Sequence, residues 1–372
     1  APRPGSAEPL KTQLPLALAK GTRIAFIGNT LLDRAQDFGY FEAAMQQAFP
    51  KHELTVRNLT WAADALGTEP RPANFADVEQ HLTIAKADVI FAAYGFNESF
   101  AGESGLPEFR QKLMTYVAGL KAKAFNGKTG PRIVLVSPIA NENVKGVAAA
   151  DRNNKNIAAY TKVMREVAKA QNVGFVDAFA PTEKAMASGG SDLTINGCHL
   201  NDEGYRLLGS ELFKQTFGKA APAVNEAVRA VVQEKNKQFF RRYRPVNTFY
   251  YTGGRNKSYG YLDFLPAMRN FDIMVQNRDR RIWDLAQGTW EDCSGPSRFT
   301  GEAAQQALVK GIHELTDKPI VGVGRFTSPD VMVKQIKSGN LDMIGCARPS
   351  IADPFLPKKI EEGRIEDIRE CI

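Results

Sequence analysis

Three short polar motifs of this chain together offer a hydroxyl, an amide and an imidazole, and the first two directly follow apolar stretches. Thr30 closes the segment Ile-Ala-Phe-Ile-Gly-Asn-Thr, Asn97 follows the apolar run 89–93, and His199 lies in the glycine-containing loop 196–201. A positioned hydroxyl can serve as a nucleophile, an imidazole as its general base, and an amide as a donor to the developing oxyanion. These residue types therefore indicate acyl transfer, provided that the fold brings them together.

The elements around these motifs alternate between strand-like and helix-like patterns from residue 23 to residue 218. Alternation of this kind predicts a parallel sheet with helices on both faces. The predicted strands are 24–27, 54–59, 89–93, 133–136 and 173–176, and amphipathic helices such as 108–124 and 157–171 separate them. We therefore predict an α/β fold, a flavodoxin-like three-layer α/β/α sandwich of five parallel strands. In such a fold, ligands bind at the carboxyl ends of the strands.

The order and spacing of the motifs resemble those of the SGNH (GDSL-like) hydrolases. The blocks of that family are Gly-Asp-Ser after strand one, Gly after strand two, Gly-x-Asn-Asp/Glu after strand three, and Asp-x-x-His near the end. The resemblance covers the whole predicted sandwich and implies that Thr30 is the nucleophile, His199 the base, and Asn196 the residue that orients the base. It also implies an oxyanion hole made by the backbone N–H groups of Thr30 and Ala63 and by the Asn97 amide.

The sequence departs from the family blocks at three positions, and each change has a chemical consequence. The changes are Ser to Thr at residue 30, Gly to Ala at residue 63, and Asp to Asn at residue 196. The added methyl group of threonine restricts χ1 and crowds the attack. A neutral amide stabilises an imidazolium less than a carboxylate does. Slow or specialised catalysis is the expectation.

Other roles for these residues remain open at this stage. Thr30 could cap a helix that starts at Leu31 instead of acting as a nucleophile. Asn97 could be a buried structural amide. Asp192 or Asp202 could stand beside the base in place of the missing family carboxylate.

The resemblance implies a hydrolase that acts on short acyl esters, such as acetyl groups on carbohydrates, through an acyl-enzyme. The three departures motivate a rival from another class, a catalytically silent SGNH-fold module that binds carbohydrate in the same crevice. The main interpretation requires no cofactor, and its partner is a small-molecule or carbohydrate ester. The resemblance also implies an exported bacterial protein from which a signal has been removed.

The composition of the 372-residue chain is ordinary for a globular protein, with 43% hydrophobic residues, 24% charged residues and a formal net charge of +7. No apolar run approaches the roughly 18 residues of a membrane span. Residues 1–22 are a Pro-rich lead segment that we interpret as a linker or a processed end. The four cysteines lack CxxC spacing, so we predict no metal site. His52 and His81 lie in polar stretches and are expected to face solvent.

Residues 219–288 form a basic and aromatic extension. Between Lys235 and Arg281 there are eleven Lys or Arg residues and three Asp residues, interleaved with aromatic residues. Such mixing is found in nucleic-acid-binding proteins, but it also suits a solvated charged face whose aromatic residues pack on a neighbouring domain. We expect the second arrangement, with a helix at 223–236, packing on the first domain and no nucleic-acid partner.

Residues 289–372 have a different pattern. Segments 318–325 and 341–349 are predicted strands that run into Gly-Arg and Ala-Arg pairs, and 328–337 is a predicted helix. Strand-helix units with Gly and Arg at the strand ends suit the phosphate-binding corner of a TIM barrel. We therefore predict a βαβα fragment that resembles part of such a barrel.

This tail resembles the end of the FMN-binding barrel of the trimethylamine dehydrogenase and old yellow enzyme group. The strings that carry the likeness are Gly-Pro-Ser-Arg-Phe at 295–299 and Cys-Ala-Arg-Pro-Ser-Ile-Ala-Asp-Pro-Phe-Leu-Pro at 346–357. The resemblance implies that Cys371 is the first ligand of an iron-sulfur cluster. The residues that it implies around the FMN phosphate are Gly324, Arg325, Ala347 and Arg348.

A closed barrel of this kind needs eight strands, and the tail supplies about two. We therefore expect a fused or truncated fragment without a complete flavin site. An FMN-dependent oxidoreductase is the minor alternative. Apolar strand faces left exposed by the fragment could allow self-association.

Overall fold

The computed structural model describes residues 2–72, 75–245, 254, 261–287, 301–303, 306–309, 311–312 and 316–369. The chain divides into two compact units, Ala1–Ala286 and Gln287–Ile372. The string at 295–299 and the predicted cluster ligand Cys371 lie outside the described residues.

A five-stranded parallel sheet forms the centre of the first unit. Its strands are β1 Arg23–Gly28, β2 Thr55–Asn58, β3 Val89–Ala93, β4 Arg132–Val136 and β5 Gly174–Val176. Their order across the sheet is β2-β1-β3-β4-β5, and all neighbours are parallel. This is the flavodoxin-like strand order, so the predicted fold class is confirmed.

Nine helices accompany the sheet in the described part of this unit. They are α1 Thr30–Phe38, α2 Tyr40–Ala48, α3 Val78–Ala85, α4 Leu106–Lys121, α5 Ala149–Gln171, α6 Phe179–Met186, α7 Asp202–Phe217, α8 Glu226–Tyr243 and α9 Tyr261–Gln287. Shorter elements are the 3₁₀ turns Glu98–Ala101 and Glu103–Gly105 and the paired two-residue strands Gly5–Ser6 with Lys123–Ala124 and Asn143–Val144 with Val147–Ala148. Within the described ranges, no helix combines the length and apolar character that a membrane crossing requires.

Alternate residues of the buried strands supply two separate apolar cores. Phe26 and Phe91 face the layer that contains α1, α2 and α7. Ile27 and Ile90 face the layer that contains α3, α4 and α5. Side chains of a strand point alternately to the two faces of a sheet, so near-continuous apolar strands require helices on both sides. The polar residues that follow the strands are left at the carboxyl edge.

The last two helices of the unit cover the edge strand β2. Lys235 of α8 is fully buried, and its ammonium group donates to Glu42 at 2.8 Å. On α9, Asp279 forms a two-bond ion pair with Arg57 of β2. The expectation that Lys235 lies on a solvated face is wrong, because this charge is buried with a partner. The prediction also missed α9, which contains Pro266, a residue that disfavours helix interiors.

The second unit contains one two-stranded parallel sheet in its described part. Its elements are α10 Gln306–Val309, β6 Val321–Gly322, α11 Pro329–Lys337, β7 Met343–Ile344, α12 Ala347–Ala352, α13 Leu356–Glu361 and the 3₁₀ turn Ile365–Asp367. The strand-helix-strand order is as predicted, but both strands are shorter. β6 ends before Gly324 and Arg325, because these residues have positive φ angles of 129° and 54°. β7 is short because α12 begins at Ala347, three residues after its end.

Candidate active site

The carboxyl end of β1 presents Thr30 at the start of α1. Gly28 has a φ of 113°, and a Cβ atom there would lie 2.0 Å from the carbonyl oxygen of Ala93. Only glycine therefore lets β1 pass β3 in this conformation. The side chain of Asn29 caps α1 by accepting from the N–H of Leu31 at 3.2 Å. The alternative that Thr30 is the cap is wrong, since Asn29 fills that position.

The backbone N–H of Ala63 donates to the hydroxyl oxygen of Thr30 at 3.0 Å. Ala63 has a φ of 65°. This left-handed conformation costs an L residue roughly 1–2 kcal/mol, whereas glycine adopts it freely. The turn after β2 thus places the predicted oxyanion donor beside the predicted nucleophile, and it does so at a cost in backbone strain.

The side-chain amide of Asn97 holds the same turn. Its Nδ2 donates to the carbonyl oxygens of Ala63 at 2.9 Å and Asp64 at 3.2 Å. A primary amide has two N–H groups, so both are used. In this arrangement Asn97 orders the turn, and it can donate to an oxyanion only by releasing one of the two carbonyls.

The imidazole of His199 contacts Asn196 through Nδ1. The Nδ2 and Oδ1 atoms of Asn196 lie 2.9 Å and 3.1 Å from Nδ1, and Oδ1 also accepts from the backbone N–H of His199 at 3.0 Å. An amide can accept from a protonated Nδ1 or donate to an unprotonated one, whereas a carboxylate can only accept. Asn196 therefore orients the ring without selecting the tautomer that leaves Nε2 free to take a proton.

No carboxylate hydrogen-bonds to His199 within the residues described here. Asp202 accepts from the Tyr40 hydroxyl at 2.8 Å. Asp192 contributes its backbone carbonyl, which accepts from the Asn201 side chain at 2.6 Å. Neither aspartate hydrogen-bonds to the base in the place that the family carboxylate would occupy.

The surroundings of His199 favour the neutral imidazole. Burial lowers its pKa below the ordinary value, and the positive charge of Arg34 acts in the same direction. Burial raises the pKa of the Cys198 thiol, whose sulfur lies 3.3 Å from Nδ1 of His199. A neutral imidazole can act as a base, while the thiol stays protonated at neutral pH. In the described ranges no three His, Cys, Asp or Glu side chains are grouped as metal ligands.

Thr30 and His199 line the same pocket, which has a volume of 240 Å³. Ala63 and Asn97 also line it, at the carboxyl edge of the sheet, and the remaining wall is mostly apolar. The fold therefore gathers four of the five predicted site residues around one pocket. Asn196 stands behind the imidazole. No hydrogen bond joins Thr30 to His199 among the contacts of the described residues.

A buried carboxylate that was not among the predicted site residues holds the loop of the base. Glu142 accepts from the N–H of Leu193 at 3.0 Å, and from the N–H and hydroxyl of Thr194 at 2.8 Å and 2.6 Å. The Thr194 hydroxyl oxygen accepts in turn from the N–H of Gly197 at 3.0 Å. The loop that carries His199 is therefore built on Glu142. The available signal was that Glu142 follows β4 and so belongs to the same sheet edge.

A second carboxylate, Glu98, performs the matching role on the nucleophile side. Its two oxygens accept from the N–H groups of Leu66 and Gly95, each at 2.8 Å. It thereby ties the turn after β2 to the end of β3. The sequence placed Glu98 beside Asn97 but gave it no role.

In the second unit, the residues implied for an FMN phosphate follow the two short strands. Gly324 and Arg325 come after β6, and Ala347 and Arg348 begin α12 after β7. The side chains of Ala347 and Arg348 lie outside the described residues. A closed flavin barrel needs eight strands, and the described part of this unit has two. These residues alone do not fit a complete FMN site.

Comparison with known families finds two separate matches. Residues 29–207 match the GDSL-like Lipase/Acylhydrolase family, and residues 255–367 match the NADH:flavin oxidoreductase / NADH oxidase family. Dimethylamine dehydrogenase of Hyphomicrobium sp. (strain x) is 51% identical over 159 residues, which are 42% of this chain and 19% of that protein. NADH oxidase of Thermoanaerobacter brockii is 38% identical over 102 residues, which are 27% of this chain and 16% of that protein. The chain spans less than a fifth of the length of these two relatives.

Similar solved structures include a catalytic mutant of an acetylxylan esterase from Geobacillus stearothermophilus. It is 16% identical, with a TM-score of 0.43, and the match covers 55% of this chain and 99% of that one. A gut microbial diltiazem-metabolizing enzyme is 18% identical with a TM-score of 0.43, covering 57% and 48% of the two chains. On the family matches, residues 29–207 are a GDSL-like lipase/acylhydrolase domain, and residues 255–367 are a segment of the NADH:flavin oxidoreductase family.

Proposed function

We propose that the first domain hydrolyses short acyl esters, including acetyl esters of carbohydrates, with Thr30 as nucleophile and His199 as base. The observation that carries the proposal is the single 240 Å³ pocket lined by Thr30, Ala63, Asn97 and His199. A hydroxyl, an imidazole and backbone or amide donors around one small, mostly apolar pocket are what acyl transfer requires. The pocket volume suits an acetyl or similar short group.

The proposed reaction begins when Nε2 of His199 removes the proton of the Thr30 hydroxyl. As the Thr30 oxygen attacks the ester carbonyl carbon, the Ala63 N–H moves its hydrogen bond from that oxygen to the developing oxyanion, which the Thr30 N–H also stabilises. Collapse of the tetrahedral intermediate expels the alcohol, which takes the proton from His199. The same imidazole then deprotonates water, and attack of that water on the acyl-enzyme releases the acid and restores Thr30.

A second candidate is the catalytically silent module that binds carbohydrate in the same pocket. Two observations favour it. Both N–H groups of Asn97 are bonded to backbone carbonyls, and the described structure contains no hydrogen bond between Thr30 and His199. For catalysis, Asn97 would have to release a carbonyl, and Thr30 would have to bond to His199, when substrate binds. Binding of carbohydrate alone requires neither change.

The test is hydrolysis of 4-nitrophenyl acetate, 4-nitrophenyl decanoate and acetylated sugars by the intact chain. We expect acetate to be preferred over decanoate and activity to be lost in Thr30→Ala and His199→Ala. Thr30→Ser, which keeps a hydroxyl, should retain activity. Lys112→Gln, an exposed change on α4, is the control and should match the parent. Binding of acetylated sugars by a folded chain that hydrolyses none of them would favour the silent module.

A further inference from the structure

A second cavity in the first unit is separate from the active-site pocket. It lies beside the edge strand β2, among helices α3, α8 and α9, and has a volume of 480 Å³ against 240 Å³ for the active-site pocket. The two cavities share none of their described lining residues. A cavity of this size is within the range of small-molecule sites.

Positive charge is in excess around this cavity. Its five cationic residues are Arg23, Arg57, Lys86, Arg242 and Arg280, and its two carboxylates are Asp272 and Asp279. The two carboxylates pair with Arg57 and Arg242. Within the described residues, the side chains of Arg23, Lys86 and Arg280 form no ion pair with a carboxylate, and all three residues are exposed. The Asp88 carboxylate accepts from the backbone N–H of Arg23 at 2.8 Å. Three positive charges are therefore left over at a solvent-facing rim.

His81 also lines the cavity and adds no charge at neutral pH. Burial lowers its pKa to about 4, and the charges of Arg242 and Arg71 act in the same direction. Its ring packs edge-on against Tyr243 at 4.7 Å between centroids. The expectation that His81 faces solvent is wrong, since Tyr243 and Phe75 pack against it. The excess positive charge is therefore that of the arginine and lysine side chains.

Most of the remaining wall of the cavity is apolar. Its apolar residues are Leu59, Ile84, Ala85, Phe239, Val275 and Trp283, and Thr55, Tyr243 and Gln276 add polar groups. The guanidinium of Arg57 lies 5.5 Å from the centre of the Phe239 ring, so apolar and charged surfaces meet inside the cavity. On α9, residues 272, 275, 276, 279, 280 and 283 line it together because they recur at intervals of three and four. A whole face of α9 is therefore turned towards the cavity.

We propose that this cavity binds a small organic anion with an apolar body, of the class of aryl- or alkyl-carboxylates. The apolar wall would bury the body of such a ligand, and the rim cations Arg23, Lys86 and Arg280 would surround its carboxylate. A neutral apolar ligand would leave the rim charges without a partner, and a small polar anion would leave the apolar wall unused. The site is independent of the proposed hydrolysis, because no residue of the proposed reaction lines it.

The test is calorimetric titration of the full chain with 4-phenylbutyrate and with its uncharged counterpart 4-phenylbutan-1-ol. We expect saturable binding of the carboxylate with one site per chain and clearly weaker binding of the alcohol. Lys86→Gln and Arg280→Gln should each weaken carboxylate binding about two- to fivefold, as expected for exposed charge pairs. They should leave alcohol binding and ester hydrolysis unchanged. Lys112→Gln is the charge control and should have no effect on either ligand.

A variant that fills the cavity locates the site. Ala85→Phe should abolish binding of 4-phenylbutyrate, whereas Ala118→Phe, on an exposed position of α4, should not. Absence of saturable binding by the parent chain would overturn the proposal, as would equal affinity for the acid and the alcohol. Binding that survives Ala85→Phe would also overturn it. If Ala85→Phe does not fold, the comparison of the acid with the alcohol and the two charge variants still test whether the cavity binds the carboxylate.

Discussion

The two sides of the active-site pocket are held in place by different means. On the nucleophile side, the site residues bond to one another, since Ala63 donates to Thr30 and Asn97 donates to Ala63. On the base side, the loop is held from behind by the buried carboxylate of Glu142. Among the described residues, the Asn196 amide and the Cys198 thiol contact Nδ1 of the imidazole, and no carboxylate does. On the nucleophile side, N–H groups that could stabilise the oxyanion are therefore bonded to Thr30 and to the turn at Ala63. The base side is well positioned, but the tautomer of its imidazole is not selected.

The base side can be tested by restoring a carboxylate with Asn196→Asp. A carboxylate at this position can only accept from Nδ1, so it should fix the tautomer with Nε2 free and stabilise the imidazolium. The reverse exchange lowers kcat of a serine protease about 10⁴-fold, and we expect a rise in kcat on the order of 10²-fold here. Steady-state hydrolysis of 4-nitrophenyl acetate measures it. An unchanged kcat would mean that the tautomer is not the limitation and that the nucleophile side sets the rate.

The anchor behind the base can be broken with Glu142→Gln. The replacement amide keeps the size of the side chain but cannot accept all of the bonds from Leu193 and Thr194. Leaving a buried donor without an acceptor costs about 1–3 kcal/mol, so we expect that loss in the free energy of unfolding in urea. We also expect about a tenfold fall in kcat with little change in KM, because the imidazole is displaced and the pocket is not.

Glu166→Gln is the matched control for that experiment. Glu166 is a half-exposed carboxylate paired with Arg110, and removal of such a pair changes stability by about 0–1 kcal/mol. Equal effects of the two variants on kcat would show that Glu142 has no special connection to the base.

The pH dependence of the reaction reports the state of His199. The imidazole must be neutral to act as a base, so kcat/KM should fall as the pH falls through its pKa in the free enzyme. Burial and Arg34 lower that pKa below its ordinary value of 6.5, so the acid limb should have its midpoint below 6.5. Asn196→Asp adds a negative charge beside the ring and should move the midpoint upward. An acid limb above 6.5 in the parent chain would contradict this assignment.

The fold was predictable because four of the five strands are largely apolar, β2 alternates buried and half-buried residues, and amphipathic helices separate the strands. The sequence also placed Thr30 and Asn97 at one sheet edge, since parallel strands end on the same side. His199 lies in the loop between α6 and α7, and its assignment came from the resemblance to the family blocks. It could not reveal that both N–H groups of Asn97 bond to the turn at Ala63. It could not find Glu142 either, because a carboxylate anchors a loop only once that loop has folded over it.

The second unit had the more specific sequence strings but yielded less about function. Residues 255–367 match the NADH:flavin oxidoreductase / NADH oxidase family, yet a flavin site depends on strands that surround the cofactor, and two strands cannot surround it. In the basic and aromatic extension, residues 219–288, the charges predicted a solvated face, whereas Lys235 is buried against Glu42. The two residues are 193 positions apart, so no local pattern in the sequence reveals their pairing.

The smallest expected effect concerns the strained turn on the nucleophile side. Ala63 adopts the left-handed conformation, which glycine tolerates without a Cβ penalty, so Ala63→Gly should raise the free energy of unfolding by about 0.5–1 kcal/mol. Ala62 is exposed and lies outside that conformation. Ala62→Gly should therefore be neutral or lower stability by about 0.5–1 kcal/mol. Urea unfolding of both variants gives the difference in the free energy of unfolding.

The N–H that bonds to Thr30 remains in Ala63→Gly, so kcat/KM should stay within about twofold of the parent. A marked rise in kcat/KM would show instead that strain at Ala63, and not the unselected tautomer of His199, limits the reaction.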